Sequence, residues 1–349
     1  MRTHNNPFSL PTLYEALERL RLSEESSAGS IPPPPPPAIS PRASTSDAHL
    51  IKLFNLMTSE EYVSEFREII SKTTSREHLL KIVSLLTSDS DYFLEIVRNM
   101  YGSIHVQKLL GMSDDMDALL YAAILHRLYD IMTDKYASYV AIRAMLVLDT
   151  MEKFIMYDHV LYYAPDIARD QYGCIALNVV ITDVDDSHYR KLLLDFVSRN
   201  ALCLSNHPSG NFVVQHVLKL YDSRCTYNIA FSLLGHCVDL SFKKYGSYIV
   251  EKLLDAEESM DVVVMELLEC DEDRLMRLAR NGFGNFVVFK ALRVTQEINR
   301  FDLFSGLVQK LMPLRHLLVR SYGSNIAKLL ESCSITLQDG KEVYPSSFI

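Results

Sequence analysis

From residue 47 to about residue 333, apolar side chains recur three and four positions apart, the spacing that keeps one side of an α-helix apolar. Only Pro165, Pro208 and Pro313 interrupt this stretch, and no alternating apolar–polar run competes with it. The pattern predicts helices of about 8 to 15 residues joined by short turns, and no β-sheet.

A longer period lies over the helical one. The strings YGSIHVQKLL, YASYVAIRAM, YGCIALNVVI, SGNFVVQHVL, YGSYIVEKLL, FGNFVVFKAL and YGSNIAKLL follow one another along the chain. Their second residues are Gly102, Ala137, Gly173, Gly210, Gly246, Gly284 and Gly323, at steps of 35, 36, 37, 36, 38 and 39. A near-constant period of this size predicts a solenoid, because one such unit cannot bury its apolar face alone and its neighbours complete the core.

Each unit divides further. An aromatic residue precedes the small one in six of the seven copies (Tyr101, Tyr136, Tyr172, Tyr245, Phe283, Tyr322), and the small residue is read as the pivot of a tight turn into a helix. Five positions follow. The third and fourth are mostly apolar, as in Val213 and Val214, Ile249 and Val250, or Val287 and Val288, and are assigned to the core. The first, second and fifth lie about one turn apart on the opposite side, so every unit offers three side chains to one continuous surface.

Composition changes the picture at the N-terminus. Nine of the 13 prolines precede residue 42, including the run Pro32 to Pro37, so residues 1–46 are expected to be an extended tail rather than part of a core. Within that tail only Leu13, Leu17 and Leu20 have helical spacing. The segment from His49 to Met100 is helical in pattern but has no clean motif, and LLKIVSLL at 79–86 reads as one degenerate repeat.

Charge sets the next limit. Lys plus Arg is 35 against 44 Asp plus Glu, a net charge of −9, which excludes a bulk electrostatic grip on nucleic acid or anionic membrane and leaves only a local patch. In the tail four arginines balance four glutamates, so the folded part carries the whole excess. The residues following each triplet include Lys108, Arg143, Lys252 and Lys290, whereas acid clusters such as Asp114, Asp115 and Asp117, Asp183, Asp185 and Asp186, Glu257 and Glu258, and Asp271 to Asp273 fall between repeats. They are expected to open the outer helices, giving one basic and one acidic face.

No signal-peptide-like start or membrane-length apolar run occurs, and the six cysteines have no CxxC spacing, which predicts a soluble intracellular chain with reduced thiols. No GxSxG, Walker-type loop, paired catalytic carboxylates or His/Cys ligand spacing is found. The expectation is a protein that is not an enzyme and has no catalytic residues, no cofactor and no metal.

The repeats resemble those of the Pumilio (PUF) family of RNA-binding proteins, plant Pumilio-like members included, with NFVVQ at 211–215 and SYIVE at 247–251 the closest fits. The resemblance spans roughly residues 50–333 and implies an all-α, curved α-solenoid, an armadillo-like superhelix forming a Pumilio homology domain over 47–349. In such repeats two edge residues and a stacking residue read one base each. The resemblance then implies that Asn211 and Gln215 read uracil with Phe212 stacking, and that Ser247 and Glu251 read guanine with Tyr248 stacking. The chemistry agrees, since a carboxylate accepts from the two donors of guanine while amides serve both donor and acceptors of uracil.

Asn285 and Phe286 match the uracil pattern, but Phe289 stands where Gln is expected. Ser103 and Gln107 match an adenine reader, with Ile104 in the stacking place. Ser138 with Ile142 across Tyr139, and Cys174 with Asn178 across Ile175, depart further and leave the base open. Ser324, Asn325 and Lys328 resemble a closing half-repeat that reads nothing. Phe212, Tyr248 and Phe286 are expected to be exposed because the valine pairs already supply a core; Tyr139 is left open between core and surface.

With the antiparallel binding that the resemblance implies, the order is U, G, U, two unassigned bases, then A. The implied function is a sequence-specific binder of single-stranded RNA in mRNA 3′-UTRs. It would be a cytoplasmic monomer, with the nucleus as second choice, that recruits deadenylation or translation-repressing proteins and has no membrane partner. The alternatives are a protein-binding helical scaffold, or a structured-RNA factor of ribosome maturation, with degenerate base reading.

Overall fold

A computed structural model describes residues 45–72 and 76–338 of the chain. The proline run, the Leu13–Leu17–Leu20 segment and the rest of the expected tail up to residue 44 lie outside them. Among the described residues all regular structure is helical.

The helices fall into two long rows bridged by short pieces. The front-row helix of each unit begins within two residues of the small residue: Met100–Leu109, Ser138–Val147, Gly173–Asp183, Gly210–Leu218, Lys244–Leu253, Gly284–Glu297 and Ser324–Gln338, each packed on the next. The back row runs Arg76–Leu86, Asp114–His126, Thr150–Ile167, Ser187–Arg199, Ser223–Ser232, Glu257–Glu269 and Phe301–Leu311, again neighbour on neighbour. The 79–86 string is thus a back-row helix. Ahead of the front row, Phe66 of Val63–Lys72 places its ring 4.1 Å from that of His105, whose Nδ1 is 2.9 Å from the Met57 carbonyl oxygen. Short helices such as Ala201–Ser205, Cys237–Ser241 and Glu272–Ala279 lead into the front row.

The valine and isoleucine pairs at third and fourth place are fully buried between the rows. At about 1.5–3 kcal/mol for each buried Val or Ile, they make the stacking of units self-reinforcing. Three of the four acid clusters sit at back-row N-termini: Asp114, Asp115 and Asp117 in a first turn, Asp186 capping His188 and Tyr189 N–H, and Glu257 and Glu258 in a first turn. The fourth differs, for Asp271 caps the short helix Glu272–Ala279. In each place the carboxylates meet the positive end of a helix dipole.

Two sequence expectations need revision. Pro165 does not end a helix but lies inside Thr150–Ile167, which a capping box of Asp149 and Glu152 opens and which takes the place of a separate short helix before Gly173. The proline sits within the last turn, so the hydrogen bond it removes and the crowding of its ring fall at the end of the helix and not in its middle. The small residues, too, act differently from the turn pivot expected. None of the repeat glycines has a positive φ. Instead a Cβ on Gly102, Gly173, Gly210, Gly246 or Gly284 would come within 2.0 to 3.1 Å of the carbonyl oxygen six residues earlier. Close approach of the preceding helix, not backbone freedom, excludes a side chain there.

Candidate nucleic-acid interface

Five of the seven front-row helices are started by a side chain three residues ahead of the small residue; Lys244–Leu253 has no such cap. The side chains of Asn99, Asp134, Asp170 and Asn281 each accept from two successive backbone N–H groups, and His207 Nδ1 does the same for Ser209 and Gly210. These caps fix the first turn, and the first turn carries the reading positions. Their signal in the sequence is an Asn or Asp three residues before the small one, a feature that the repeat strings alone do not include.

The three reading places are not equally open. Phe212, Tyr248 and Phe286, all at second place, are 45%, 48% and 54% exposed. The first-place residues Ser103, Ser138, Cys174, Asn211, Ser247 and Asn285 are all buried, between 1% and 7% exposed. The expected surface of three side chains per unit is therefore a surface of two, with the first folded down against its own turn.

Hydrogen bonds explain why. The Asn211 amide donates to the carbonyls of His207 (2.8 Å) and Pro208 (2.6 Å), and Gln215 Nε2 donates to Asn211 Oδ1 at 2.8 Å. Asn211 thereby orients Gln215, whose oxygen and second N–H remain as an acceptor–donor pair complementary to N3–H and a carbonyl of uracil. Gln107 is held likewise: its Nε2 donates to Ser103 Oγ at 3.1 Å, while Ser103 Oγ donates to the Tyr136 carbonyl of the next unit at 2.7 Å. Asn285 donates to Asn281 and Gly282 carbonyls in the same way as Asn211, but Phe289 packs half-buried against the core and gives its oxygen no donor.

Glu251 is half-buried beside the buried Ser247, which donates to the Lys244 carbonyl at 3.2 Å. Burial pushes its carboxyl above the ordinary carboxylate range; Lys290 and Lys252 oppose that rise, and Asp255 adds to it. Both lysines are drawn toward Asp255, at 2.6 Å for Lys290 and 3.4 Å for Lys252. The basic stripe expected along the front row is therefore partly neutralised at these two units, while Lys108 and Arg143 stay exposed. His216 is half-buried; burial lowers its pKa, and Nε2 meets Thr182 Oγ1 of the preceding unit at 2.8 Å. It links units as a neutral group.

The middle units do not present a reading surface. Tyr139 is only 8% exposed, so this ring is not a surface stacker. Ile142 and Ile175 pack partly against the core, Asn178 has its buried Oδ1 without a partner, and Cys174 lies buried with its thiol pushed up to about 12 by burial. The physical reason is apolar burial: an isoleucine, at fifth place in one unit (Ile142) and at second place in the other (Ile175), draws that helix face against the core.

Known proteins agree with this architecture. The family described as the Pumilio-family RNA binding repeat matches residues 92–117, 127–161, 163–194, 200–224 and 236–268. Pumilio homolog 18 of Arabidopsis thaliana is 60% identical over 332 residues, which cover 95% of this chain and 98% of that protein. In fold, the chain is similar to the Puf4 RNA binding domain bound to the HO endonuclease RNA 3′ UTR recognition sequence, with a TM-score of 0.69 at 21% identity, covering 79% of this chain and 87% of the other. It is also similar to PUF-6 in complex with 5BE13 RNA, with a TM-score of 0.68 at 13% identity over 87% and 89% of the two chains. The front row extends beyond the matched repeats through the units of Gly284 and Gly323, and with the relative matched almost end to end, this chain belongs to the Pumilio family of RNA-binding, non-enzymatic repeat proteins.

Proposed function

We propose that the chain binds single-stranded RNA by sequence, reading a UGU element followed by two unread bases and an adenine. One observation carries this: three consecutive units, those of Gly210, Gly246 and Gly284, present an exposed ring at second place over two buried core residues. Fifth-place chemistry then separates them, an amide at Gln215, a carboxylate at Glu251 and a hydrocarbon at Phe289. Within the same proposal the targets are mRNA 3′-UTRs, the outcome is repression or decay through recruited proteins, and the site of action is the cytoplasm. The withdrawn units around Tyr139 and Cys174 favour a protein-scaffold role for that stretch alone, not for the whole array.

Titration of labelled UGU RNA against the same strand carrying ACA, at fixed salt, tests the reading; equal affinity for the two ends it. Glu251→Gln sharpens the test. An amide in place of the carboxylate gives up one acceptor and is expected to lower discrimination for G at the second base by roughly 1–3 kcal/mol, the scale of a bidentate base contact. Acidity gives a matching signature. The carboxylate is the form that accepts from guanine, and its pKa is raised, so affinity for UGU should fall on acidification while ordinary exposed carboxylates are still ionised. Glu251→Gln should flatten that dependence; a pH profile the same in both proteins would remove Glu251 from the site.

Phe289→Gln tests the third unit. A glutamine there can donate to Asn285 as Gln215 donates to Asn211, so preference for U at the first base should sharpen. The price is some core packing, because Phe289 lies against buried residues. A lower melting temperature with no gain for U, measured on the same variant, would show that this unit does not read a base.

A further inference from the structure

The caps that start the front-row helices differ in one unit. Asn99, Asp134, Asp170 and Asn281 accept through an amide or carboxylate oxygen, whereas the unit of Gly210 uses a ring nitrogen, with the N–H groups of Ser209 and Gly210 each 3.2 Å from His207 Nδ1. A backbone N–H can only donate, so this nitrogen holds a lone pair and the ring proton lies on Nε2. The imidazole is partly exposed, within reach of water and its protons.

The same residue supports the reader. The His207 carbonyl oxygen accepts from the Asn211 backbone N–H at 3.1 Å and from its side-chain amide at 2.8 Å, and Asn211 Oδ1 in turn holds Gln215 at 2.8 Å. Cap, turn and reading amide form one continuous series of hydrogen bonds. The unit of Gly284 repeats the first part of it with an amide at the head. There Asn281 Oδ1 accepts from Phe283 and Gly284 N–H at 2.9 and 3.0 Å, and the Asn285 amide donates to the Asn281 carbonyl at 2.8 Å.

Acid separates the two heads. An amide oxygen goes on accepting, but a protonated imidazole donates from both nitrogens, so Nδ1–H would point at two N–H groups at the positive end of a helix. Histidine is the side chain whose charge changes between about pH 5 and 8. The surrounding charges do not hold that cation in place. The front-row helix before it is capped by Asp170, whose carboxylate accepts from Tyr172 and Gly173 N–H, and the one after it opens at Lys243 and Lys244, with Lys244 over the Tyr245 ring. In the short helix Ala201–Ser205 the Cys203 thiol accepts from Arg169, the back row brings Asp195 and Arg224 paired at 2.7 Å, and His216 of the same front-row helix is turned to Thr182. Among the described residues none of these forms an ion pair or hydrogen bond with the His207 ring.

We propose that neutral His207 is the positioning residue of the Asn211–Gln215 reader, and that its protonation releases this one unit, so that uracil is no longer selected at the third base of the element. The inference rests on the RNA reading above and adds to it a residue outside the triplets. The carboxylate of Glu251 makes the second base sensitive to acid for a different reason, and the two effects fall on different letters.

The test measures, on the full chain at fixed salt, the ratio of affinities for the UGU element and for the same strand with adenine at the third base, at about pH 7.5 and about pH 5.5. A ratio is needed because a cationic histidine attracts every RNA alike. In the wild type the ratio should fall on acidification by about 2- to 30-fold, the range of a lost N-cap. His207→Asn, which copies the cap that Asn281 already provides, should keep the ratio at both pH values. His207→Ala should have the low ratio at both. The acid response of G preference at the second base should be the same in wild type and His207→Asn. Melting curves at each pH verify that every variant is folded where affinity is measured.

A third-base ratio in the wild type that does not change with pH, or one that falls equally in His207→Asn, would overturn the inference and leave the base-reading proposal standing. A melting temperature that drops with acid only in the wild type, with the ratio intact, would likewise overturn it, reducing His207 to a cap of the fold. Failure of the wild type to prefer UGU over ACA at about pH 7.5 would instead sink the function itself and this inference with it.

Discussion

Alanine at Tyr248, Phe212 or Phe286 is expected to weaken binding of UGU RNA by roughly 1–3 kcal/mol each, about five- to 150-fold, with no loss of folding stability. The asymmetry comes from exposure. Each ring stands about half in water while its neighbours at third and fourth place are fully buried, so truncation removes a platform for a base and leaves the core filled. Tyr139→Ala should do the reverse: that ring is buried, and its loss should lower the melting temperature while leaving RNA affinity little changed. Fluorescence anisotropy and thermal unfolding on the four variants measure both. Equal affinity losses for Tyr139 and Tyr248 would mean that exposure does not identify the stacking residues.

Gly102→Ala is expected to destabilise the fold by about 1–3 kcal/mol, the usual cost of overpacking a fitted interface. The added methyl would stand 2.0 Å from the Ile96 carbonyl oxygen and 2.9 Å from its carbonyl carbon, and both are backbone atoms that cannot swing aside. Gly284→Ala should cost less, because its backbone contact is looser, 2.8 Å to the Leu278 carbonyl oxygen, and the closest atom, at 2.2 Å, is the Cδ1 of the Leu278 side chain. Chemical denaturation separates the two. A Gly102→Ala protein as stable as the parent would show that the short and front-row helices can slide apart freely at that joint.

Much of this architecture is legible in the sequence, for reasons specific to certain residues. The period of small residues and the valine pairs announce stacked helices, since both follow from packing that every unit repeats. The exposed rings at 212, 248 and 286 follow from the same arithmetic, a core already filled by its neighbours. What stays hidden depends on hydrogen bonds across a turn. Asn211 looks like a surface amide by its position, yet carbonyls of the preceding turn at His207 and Pro208 claim it, and no spacing rule shows that. Likewise Lys252 and Lys290 read as part of a basic stripe, but Asp255, a residue of no evident pattern, stands between them.

The uninterrupted helix Thr150–Ile167 joins the two units whose reading residues are withdrawn, Ser138–Val147 before it and Gly173–Asp183 after it. Elsewhere a turn and a short helix separate successive units and offer a place to flex; here the covalent rod runs through. On the proposed reading, a stiff splint between Gln107 and the block formed by Gln215, Glu251 and Phe286 would make the centre of the array a gauge. It would fix how far apart the two ends of a bound strand lie, indifferent to the letters in between, so that spacing would become part of the code.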